Sequence, residues 1–350
     1  MKNKTGLMFI YSICHFIVDF VCVIFVIGKL VPLASTVENA IMAAVVYNFF
    51  AFAFQVPLGY LLDKFKTYKY VAIIGFGLIG VCYLINIKNI MILAAIVGIG
   101  NALFHLEGGV NAYALSKGKA FLNGLFVAPG ALGVFLGTMF NSELIVSYIP
   151  MALITIAIMI LFLVQAQDVN GELNKIKTNN FSVKSGLIIA ILIGVSIIVR
   201  SIGGSAIVYT WKTGFALGFL YTLAVVFGKA FGGLIADKFG LFKVAGISLI
   251  LSAICLVLGH NYHILAYVGI FLFNIPMSIT LIILENALTK KIACAVGLNT
   301  MFLFIGYLIC FIDITIDNNY VLVGSILLAV LSIYFANKLY IKGGALNEKN

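Results

Sequence analysis

Long apolar runs separated by short polar loops make up almost the whole chain. Each run has roughly the 20 apolar residues that an α-helix needs to cross the hydrocarbon core of a bilayer. On this measure we predict about twelve membrane-spanning helices, with boundaries good to a few residues. They lie near residues 6–30, 38–62, 68–87, 90–112, 119–140, 142–166, 185–209, 213–236, 241–260, 262–285, 291–313 and 319–341.

One polar stretch interrupts this pattern and divides the chain into two similar halves. We therefore predict an all-α polytopic membrane protein built from two pseudo-symmetric six-helix bundles. The predicted domains are an N-terminal bundle (1–166), a cytoplasmic linker (167–184), a C-terminal bundle (185–341) and a cytoplasmic tail (342–350).

The same short motif follows the second predicted helix of each half, which is typical of a transporter built from two repeats. A carboxylate there would lie beside the N-termini of neighbouring helices, whose partial positive charge stabilises it. The glycine would let a neighbouring helix approach closely. We interpret the motif as a latch between the halves; a loop that only sets topology is the alternative. Its residues are Gly59, Asp63 and Lys64 in the first copy, and Gly233, Asp237 and Lys238 in the second.

Composition excludes a soluble protein. The 350 residues are 63% hydrophobic and only 10% charged, with a mean hydropathy of +1.16, so lipid must be the solvent. The net charge of +10 does not indicate nucleic-acid binding, because the lysines lie singly or in small groups between apolar runs. The six cysteines show no metal-ligand spacing and are interpreted as packing residues. No cofactor and no metal are expected.

The lysines predict the orientation in the cell membrane. With the N-terminus inside, nearly all of them fall in cytoplasmic segments, and the outer loops hold only Lys29, Lys88 and Lys212. The positive-inside rule then places both termini in the cytoplasm and requires an even number of spans.

Two copies of Gly-x-x-x-Asp-Lys-Phe in a chain of about twelve predicted spans resemble the loop signature of the major facilitator superfamily. The resemblance covers essentially the whole chain. It implies two six-helix bundles around a central cavity, alternating access, a small-molecule substrate and a monomer.

Three stretches are similar to the fosmidomycin-resistance branch of exporters: His15 to Asp19, Phe104 to Glu107, and Val199 to Ser201. This chain departs from that branch at Leu106, where proline is usual, and at Gly109-Val110, where a basic residue often occurs. The resemblance implies proton-coupled export of a drug or metabolite, and the direction of transport rests on it alone. Uptake by a symporter, or uniport, is the alternative.

The fifth predicted helix is similar to the glycine–proline signature of the superfamily's antiporters, with the Gly-Pro order inverted. A stripe of small residues for tight helix packing is an equal explanation. The residues concerned are Gly124, Pro129, Gly130, Gly133 and Gly137.

Ionisable residues inside spanning helices are costly, so each needs a partner or a function. His15 and Asp19 are four residues apart and share a helix face. Asp19 and Arg200 occur at similar depth in equivalent helices, and we predict that they pair across the cavity. Arg200 would bind deprotonated Asp19 or a substrate anion; a permanent structural ion pair is the alternative.

His105 and Glu107 are expected to point in different directions, because two residues correspond to roughly 200° around a helix. Local unwinding at Gly108-Gly109 would be needed for both to face the cavity. We expect Asp19 and Glu107 to be proton acceptors assisted by His15 and His105. Lys229, the aligned Gln55, and Asn101 complete the predicted cavity residues, and Glu285 is expected at the inner rim, solvated or part of the latch.

A rival of another class is an intramembrane metal hydrolase with His15, Asp19, His105 and Glu107 as ligands. Against it, the chain contains no His-Glu-x-x-His pair. The twofold repeat would also serve no purpose in such an enzyme, so no catalytic residues are predicted.

Overall fold

The computed structural model describes residues 4–85, 87–140, 143–164, 169–176, 181–288, 290–309 and 318–347. Within these ranges the chain is helical and contains no strand. We number the helices α1 (Lys4–Leu33), α2 (Val37–Phe65), α3 (Val71–Leu84), α4 (Ile90–Ser116), α5 (Ala120–Met139), α6 (Glu143–Val164), α7 (Val169–Asn174), α8 (Val183–Ser205), α9 (Gly214–Phe239), α10 (Leu241–Leu258), α11 (His263–Ala287), α12 (Ile292–Leu308) and α13 (Asn318–Asn347).

Among the described residues, nine helices are long and apolar enough to cross a membrane. Three shorter apolar helices accompany them: Val71–Leu84, Tyr148–Val164 and Ile292–Leu308. The prediction of an all-α polytopic membrane protein is confirmed. The arrangement of twelve spans in two bundles and the domain boundaries stay predictions.

Polar residues define where several helices begin. Thr36 accepts a hydrogen bond from the Asn39 amide at the start of α2, and Asn89 accepts from two amides in the first turn of α4. Ser182 does the same before α8. Each side chain satisfies an amide that has no partner within its own helix, which specifies the first turn.

Three of the long helices are irregular. A π-helical turn occurs in α1 at Val26–Leu30 and in α2 at Phe49–Ala53. In α11 the first segment ends at Asn274 and the second begins at Pro276, which lacks a backbone N–H and cannot continue the hydrogen-bond ladder. The second segment of α11 carries Glu285.

The buried apolar side chains form two clusters that divide along the chain. One cluster is drawn from residues 7–161, and the other mainly from residues 189–336. The second also includes Tyr68 from the loop after α2, Leu106, Val110 and Tyr113 from α4, and Ala120 from α5. Helices α4 and α5 therefore carry much of the apolar contact between the two halves of the chain.

The described part of the linker is attached to the N-terminal half. Glu172 of α7 pairs with Lys4 at 3.2 Å and with Lys175 at 2.9 Å. Hydrogen bonds from Lys175 and Lys4 hold the pKa of the Glu172 carboxyl below its usual value. The Asn170 amide also donates to the Lys66 carbonyl, so α7 lies against the loop that follows α2.

Candidate functional site

Asp63, at the end of α2, binds the N-terminus of α12 from the other half of the chain. Its two carboxylate oxygens accept hydrogen bonds from the amides of Ala293 (3.0 Å) and Cys294 (2.8 Å). The Tyr68 hydroxyl donates a third bond at 2.8 Å. Burial raises the pKa of Tyr68, so the phenol remains protonated and able to donate.

Asp237, at the end of α9, makes the matching contact with the N-terminus of α5. Its oxygens accept from the amides of Ala120 at 2.8 Å and Phe121 at 3.0 Å. Each carboxylate therefore satisfies two otherwise unpaired amides and lies at the positive end of a helix dipole. We call these contacts the Asp63 latch and the Asp237 latch, and the end of the molecule that carries them the latch face.

The motif glycines allow these contacts. A Cβ atom at Gly59 would overlap the backbone of Ala293, and one at Gly233 would overlap the backbone of Ala120. The two motif lysines do not join the latches. Lys64 and Lys238 are exposed, and each lies over the phenylalanine ring that follows it in the chain.

The central cluster consists of His15 and Asp19 of α1 and His105 of α4. Nε2 of His15 lies 3.3 Å from one oxygen of Asp19, and Nε2 of His105 lies 3.7 Å from the other. The two Nε2 atoms are 2.9 Å apart. The spacing of four in α1 brings His15 and Asp19 together as predicted, and His105 joins them, as only the rival metal-site hypothesis required.

Both rings use their other nitrogen to bind a backbone carbonyl. Nδ1 of His15 lies 2.7 Å from the Phe126 oxygen, and Nδ1 of His105 lies 2.9 Å from the Asn101 oxygen. A carbonyl only accepts, so these bonds assign a proton to each Nδ1. If both rings were neutral, each facing Nε2 atom would carry a lone pair and no hydrogen, so two acceptors would face each other. A separation of 2.9 Å requires a further proton between them, which the Asp19 carboxylate balances in charge.

The glycine stripe of α5 packs against the face of α1 that carries His15 and Asp19. A Cβ atom at Gly130 would overlap the Asp19 carboxylate and the His15 ring. One at Gly133 would overlap the backbone of Phe16, while Gly137 packs on the Phe20 carbonyl further along. Helix α5 runs through Pro129 without interruption. The packing interpretation of this stripe is supported by these contacts.

Gly124 of the same helix faces the other half. A Cβ atom there would overlap the Lys229 carbonyl of α9. Its counterpart is Gly297 of α12, where a Cβ atom would overlap the backbone of Gln55 of α2. The aligned residues Gln55 and Lys229 therefore mark two equivalent crossings between the halves.

The predicted ion pair between Asp19 and Arg200 is not formed in this structure. Arg200 of α8 is buried, donates to the Phe273 carbonyl at 3.2 Å and lies over the Phe273 ring. Its Nε has no partner, and within the described ranges it forms no salt bridge. The rotation of α8 turns the guanidinium towards Phe273 of α11.

Lys229 of α9 interacts electrostatically with Asp19 of the central cluster. It also interacts with Arg200. Of the other predicted cavity residues, Asn101 donates to the Tyr47 hydroxyl and positions His105 through its carbonyl. Gln55 is fully buried in the contact between α2 and α12 and donates to the Ala51 carbonyl.

Glu107 lies apart from the central cluster, as the angle between it and His105 predicts. Helix α4 is continuous, so no unwinding at Gly108-Gly109 brings the two together. The Glu107 carboxylate accepts from the Tyr11 hydroxyl and from the Ala72 amide, both at 2.8 Å. Ala72 is in the first turn of α3, which has no side-chain cap of its own. Glu107 thus supplies the cap.

Glu285 was expected at the inner rim, yet the structure buries it completely. It contacts Asn123 of α5, which is likewise fully buried. The expectation of a solvated side chain is therefore wrong, since the second segment of α11 packs against α5, α8, α9, α10 and α12.

A cavity of about 200 Å³ lies between α2, α8 and α12. Polar and aromatic side chains line the cavity. One of them, Ser201, follows Arg200 in the sequence. The lining residues are Asn48, Phe52, Ser201, Leu303, Phe304 and Tyr307.

Three of the four predicted metal ligands come together. The ligand atoms of His15, Asp19 and His105 lie within 4.8 Å of one another, and no other group of three in the described part of the chain does so. Glu107, the fourth, is turned towards α3. The four-ligand centre of the rival hydrolase hypothesis is therefore not assembled.

Comparison with known proteins identifies a sequence family and solved structures of similar fold. A sequence model of the Major Facilitator Superfamily matches residues 7–309. No curated protein sequence matches the chain. Among solved structures, the chain is similar to the transporter FucP in its outward conformation, with a TM-score of 0.63 at 13% identity. It is also similar to a variant form of the E. coli fucose:proton symporter FucP, with a TM-score of 0.61 at 12% identity. Both alignments cover 95% of this chain and 99% of the other.

Proposed function

Because the chain belongs to the major facilitator superfamily, we propose that it is a secondary active transporter that couples protons to a small anionic or amphiphilic compound. It is a multi-pass membrane transporter and not an enzyme. The proposed mechanism is alternating access, in which the two halves open the central region to one side of the membrane at a time.

The observation that carries the proton coupling is the facing pair of histidine nitrogens. Nε2 of His15 and Nε2 of His105 lie 2.9 Å apart beside the Asp19 carboxylate. We assign one shared proton to the space between them, because each ring already donates its Nδ1 proton to a carbonyl. Histidine is the side chain whose ordinary pKa lies nearest physiological pH. A buried group that holds one exchangeable proton and can be reached by water from alternate sides is what a proton-coupled transporter needs.

The buried cations support an anionic group on the substrate. Arg200 has a free Nε and no carboxylate partner within the described residues, an arrangement that is costly unless an anion compensates it. The cavity between α2, α8 and α12 adds the aromatic rings of Phe52 and Phe304, which suit the apolar part of an amphiphilic compound.

Lys229 connects proton binding at the central cluster with anion binding near Arg200. With the shared proton present, the charges of the histidine pair and Asp19 cancel, and Lys229 is available to an anion near Arg200. After the proton leaves, Asp19 is uncompensated and attracts Lys229. Proton and anion therefore favour each other's binding, which is the arrangement of a symporter.

Export by antiport is the second candidate, and it rests on the resemblance of the His15–Asp19, Phe104–Glu107 and Val199–Ser201 stretches to the fosmidomycin-resistance branch. The fucose:proton symporter shows only the shared fold at 12% identity. The lysine distribution supports a cytoplasmic latch face and cytoplasmic termini. With both latches formed, this face is closed.

The test uses proteoliposomes with a trapped pH-sensitive dye, no initial pH gradient, and valinomycin with potassium to remove membrane potential. Short carboxylates, sugar phosphates and phosphonates are added outside one at a time. Symport of an entering compound acidifies the lumen, whereas antiport makes it more alkaline, whichever way the protein is inserted. Empty liposomes correct for passive entry of weak acids.

The control variants decide which residues carry the coupling. Asp19→Asn should abolish the pH change, and Glu172→Gln, which alters a carboxylate on α7 outside the spanning helices, should leave it intact. A pH change in Asp19→Asn equal to that of the wild type would contradict the assignment of the central cluster.

A further inference from the structure

Glu285 and Asn123 form a buried contact between the two halves of the chain that the central cluster does not use. Glu285 is on the second segment of α11 and Asn123 is on the first turn of α5 that follows the Asp237 latch. Both side chains have no exposed surface. The Asn123 amide donates from Nδ2 to Oε2 of Glu285 at 2.5 Å.

Each side chain of this pair retains one oxygen without a hydrogen-bond partner. The unpartnered atoms are Oε1 of Glu285 and Oδ1 of Asn123. If the carboxyl group is ionised, both atoms are acceptors and both are buried with no donor. Leaving such groups without a donor is destabilising, and more so for a charged group.

No basic group in the described part of the chain forms an ion pair with Glu285. Within the described residues, no Lys, Arg or His nitrogen lies within 4.0 Å of its carboxylate. The titratable group that interacts with it is Tyr113 of α4, whose hydroxyl donates to Asn286.

The charged groups on the helices that pack against the second segment of α11 make other contacts or lie near helix ends. On α8, Arg200 binds the Phe273 carbonyl. On α9, Lys229 interacts with Asp19, and Asp237 binds the start of α5. The remaining charged groups on α5, α8, α9, α10 and α12 are at or near helix ends: Lys119, Lys184, Lys238, Lys243 and Lys291.

We propose that Glu285 is a second proton-binding site, occupied when the latch face is closed. A proton on Oε1 turns one of the two unpartnered acceptors into a donor, and the other accepts from it. Glu285 Oε1–H then donates to Asn123 Oδ1 while Asn123 Nδ2–H donates to Glu285 Oε2. One proton satisfies the carboxyl and the amide in a single planar, doubly hydrogen-bonded pair.

Opening the latch face separates α5 from α11 and breaks this pair. Water then reaches the carboxyl group, which releases its proton to the solution on that side. Closing reverses both steps, so the site takes its proton from the latch face and returns it there. The site therefore makes the conformational equilibrium depend on pH at that face, with acid favouring the closed state.

The inference rests on the proposed alternating access, but it requires neither a substrate nor the central cluster. Its test can therefore fail or succeed independently of the transport assay. A natural reporter lies at the Asp63 latch: Cys294 is half-buried, and its amide binds Asp63.

The experiment uses full-length protein in which the other five cysteines are replaced by alanine. Reaction of Cys294 with a maleimide measures opening of the latch face, and each rate is compared at the same pH with that of the Glu285→Gln variant. The comparison cancels the intrinsic pH dependence of the thiol. Glutamine imitates the protonated acid, since its amide group can donate to Asn123 Oδ1.

We expect the wild-type rate, divided by that of Glu285→Gln, to increase with pH by up to about tenfold per unit, the limit for release of one proton. A ratio that stays constant from acidic to alkaline buffer overturns the proposal. Asp63→Asn should raise the rate at every pH and leave this pH dependence in place.

Infrared spectroscopy tests the proton directly, even if Glu285→Gln folds poorly. Protein held closed at neutral pH should show the C=O stretching band of a buried carboxylic acid, which disappears on alkalinisation. Asn123→Ala should shift this band, since it removes both hydrogen bonds. A wild-type spectrum without a protonated carboxyl band would overturn the proposal.

Discussion

Nε2 of His15 lies 2.9 Å from Nε2 of His105, and each ring has its other nitrogen bound to a backbone carbonyl. Neither ring can therefore turn its Nδ1 towards the other without losing a buried hydrogen bond. The two helices hold a position for one proton that neither histidine would form alone.

Removing one ring should uncouple the transporter. In His105→Gln the shared proton has no second nitrogen, so compound-driven changes in luminal pH should be lost while the flux of the compound itself persists. The two fluxes are measured in parallel, with the dye and with radiolabelled compound. His263→Gln, which removes an exposed histidine, should retain both. Unchanged proton flux in His105→Gln would contradict the shared-proton assignment.

Gly130→Ala should inactivate transport through displacement of Asp19 and His15. The added methyl group overlaps both side chains, so α1 and α5 must separate or the cluster must rearrange. Gly246→Ala on α10 is the matched control, because a Cβ atom there meets nothing within 4 Å. Alanine should stabilise that position by about 0.5–1 kcal/mol. Thermal unfolding and proton flux of the two variants are compared, and an active Gly130→Ala protein would refute the close packing.

Asp63→Asn and Asp237→Asn should each open the latch face. Loss of a charge at a helix N-terminus is worth about 0.3–2 kcal/mol, a factor of roughly 2 to 30 in the ratio of open to closed protein. Faster alkylation of Cys294 measures the shift. Lys64→Gln should have no comparable effect, since that side chain is exposed and lies over the Phe65 ring. An effect of Lys64→Gln as large as that of Asp63→Asn would argue against a latch made of amides.

Arg200→Met should stabilise the protein and abolish transport of an anion. Replacing a buried, unpaired charge with an apolar side chain of similar length removes its desolvation cost. Replacing buried ion pairs with apolar residues, which removes the same kind of cost, has raised stability by about 1–4 kcal/mol. Arg200→Lys keeps the charge and should not raise the stability of the protein. Unfolding temperature and compound flux are measured on all three proteins. A destabilised Arg200→Met protein would indicate a structural role for the guanidinium.

Glu107→Gln should lower stability and preserve proton coupling. The carboxylate caps the Ala72 amide at the start of α3 and accepts from Tyr11. Weakening hydrogen bonds to a charged group costs about 1.5–3 kcal/mol. Tyr11→Phe removes one of the two bonds and should cost less. Unfolding temperature and compound-driven pH change are recorded for both variants. If Glu107→Gln loses proton coupling while keeping wild-type stability, Glu107 is a proton carrier and not only a helix cap.

The latches could be predicted from the sequence because they depend on chain direction alone. Once the helices alternate in direction, a carboxylate at the end of α2 or α9 is on the face where α5 and α12 begin, and backbone amides are present at any helix start. The motif glycines add the close approach. None of this requires knowledge of how a helix is rotated about its axis.

The partner of Arg200 could not be predicted for the opposite reason. A spanning helix that is apolar on every side carries little signal for its rotation, so depth alone suggested Asp19, whereas α8 directs the guanidinium to Phe273. The contact of His105 with His15 depends on the same unknown rotation. Glu285 was misplaced because its distance from Lys290 along the chain suggested the rim, while the packing of α11 in the closed latch face buries it.

Each latch joins a side chain to main-chain amides, and this has a consequence for evolutionary analysis. The residues at 120, 121, 293 and 294 can change identity without losing the N–H groups that Asp237 and Asp63 bind. Covariation between aligned positions reports side chains that compensate for one another, so it will be blind to both contacts. Across homologues, each aspartate should be retained whatever residues supply the amides, whereas the bond from the Tyr68 hydroxyl to Asp63 joins two side chains and should leave a covariation signal.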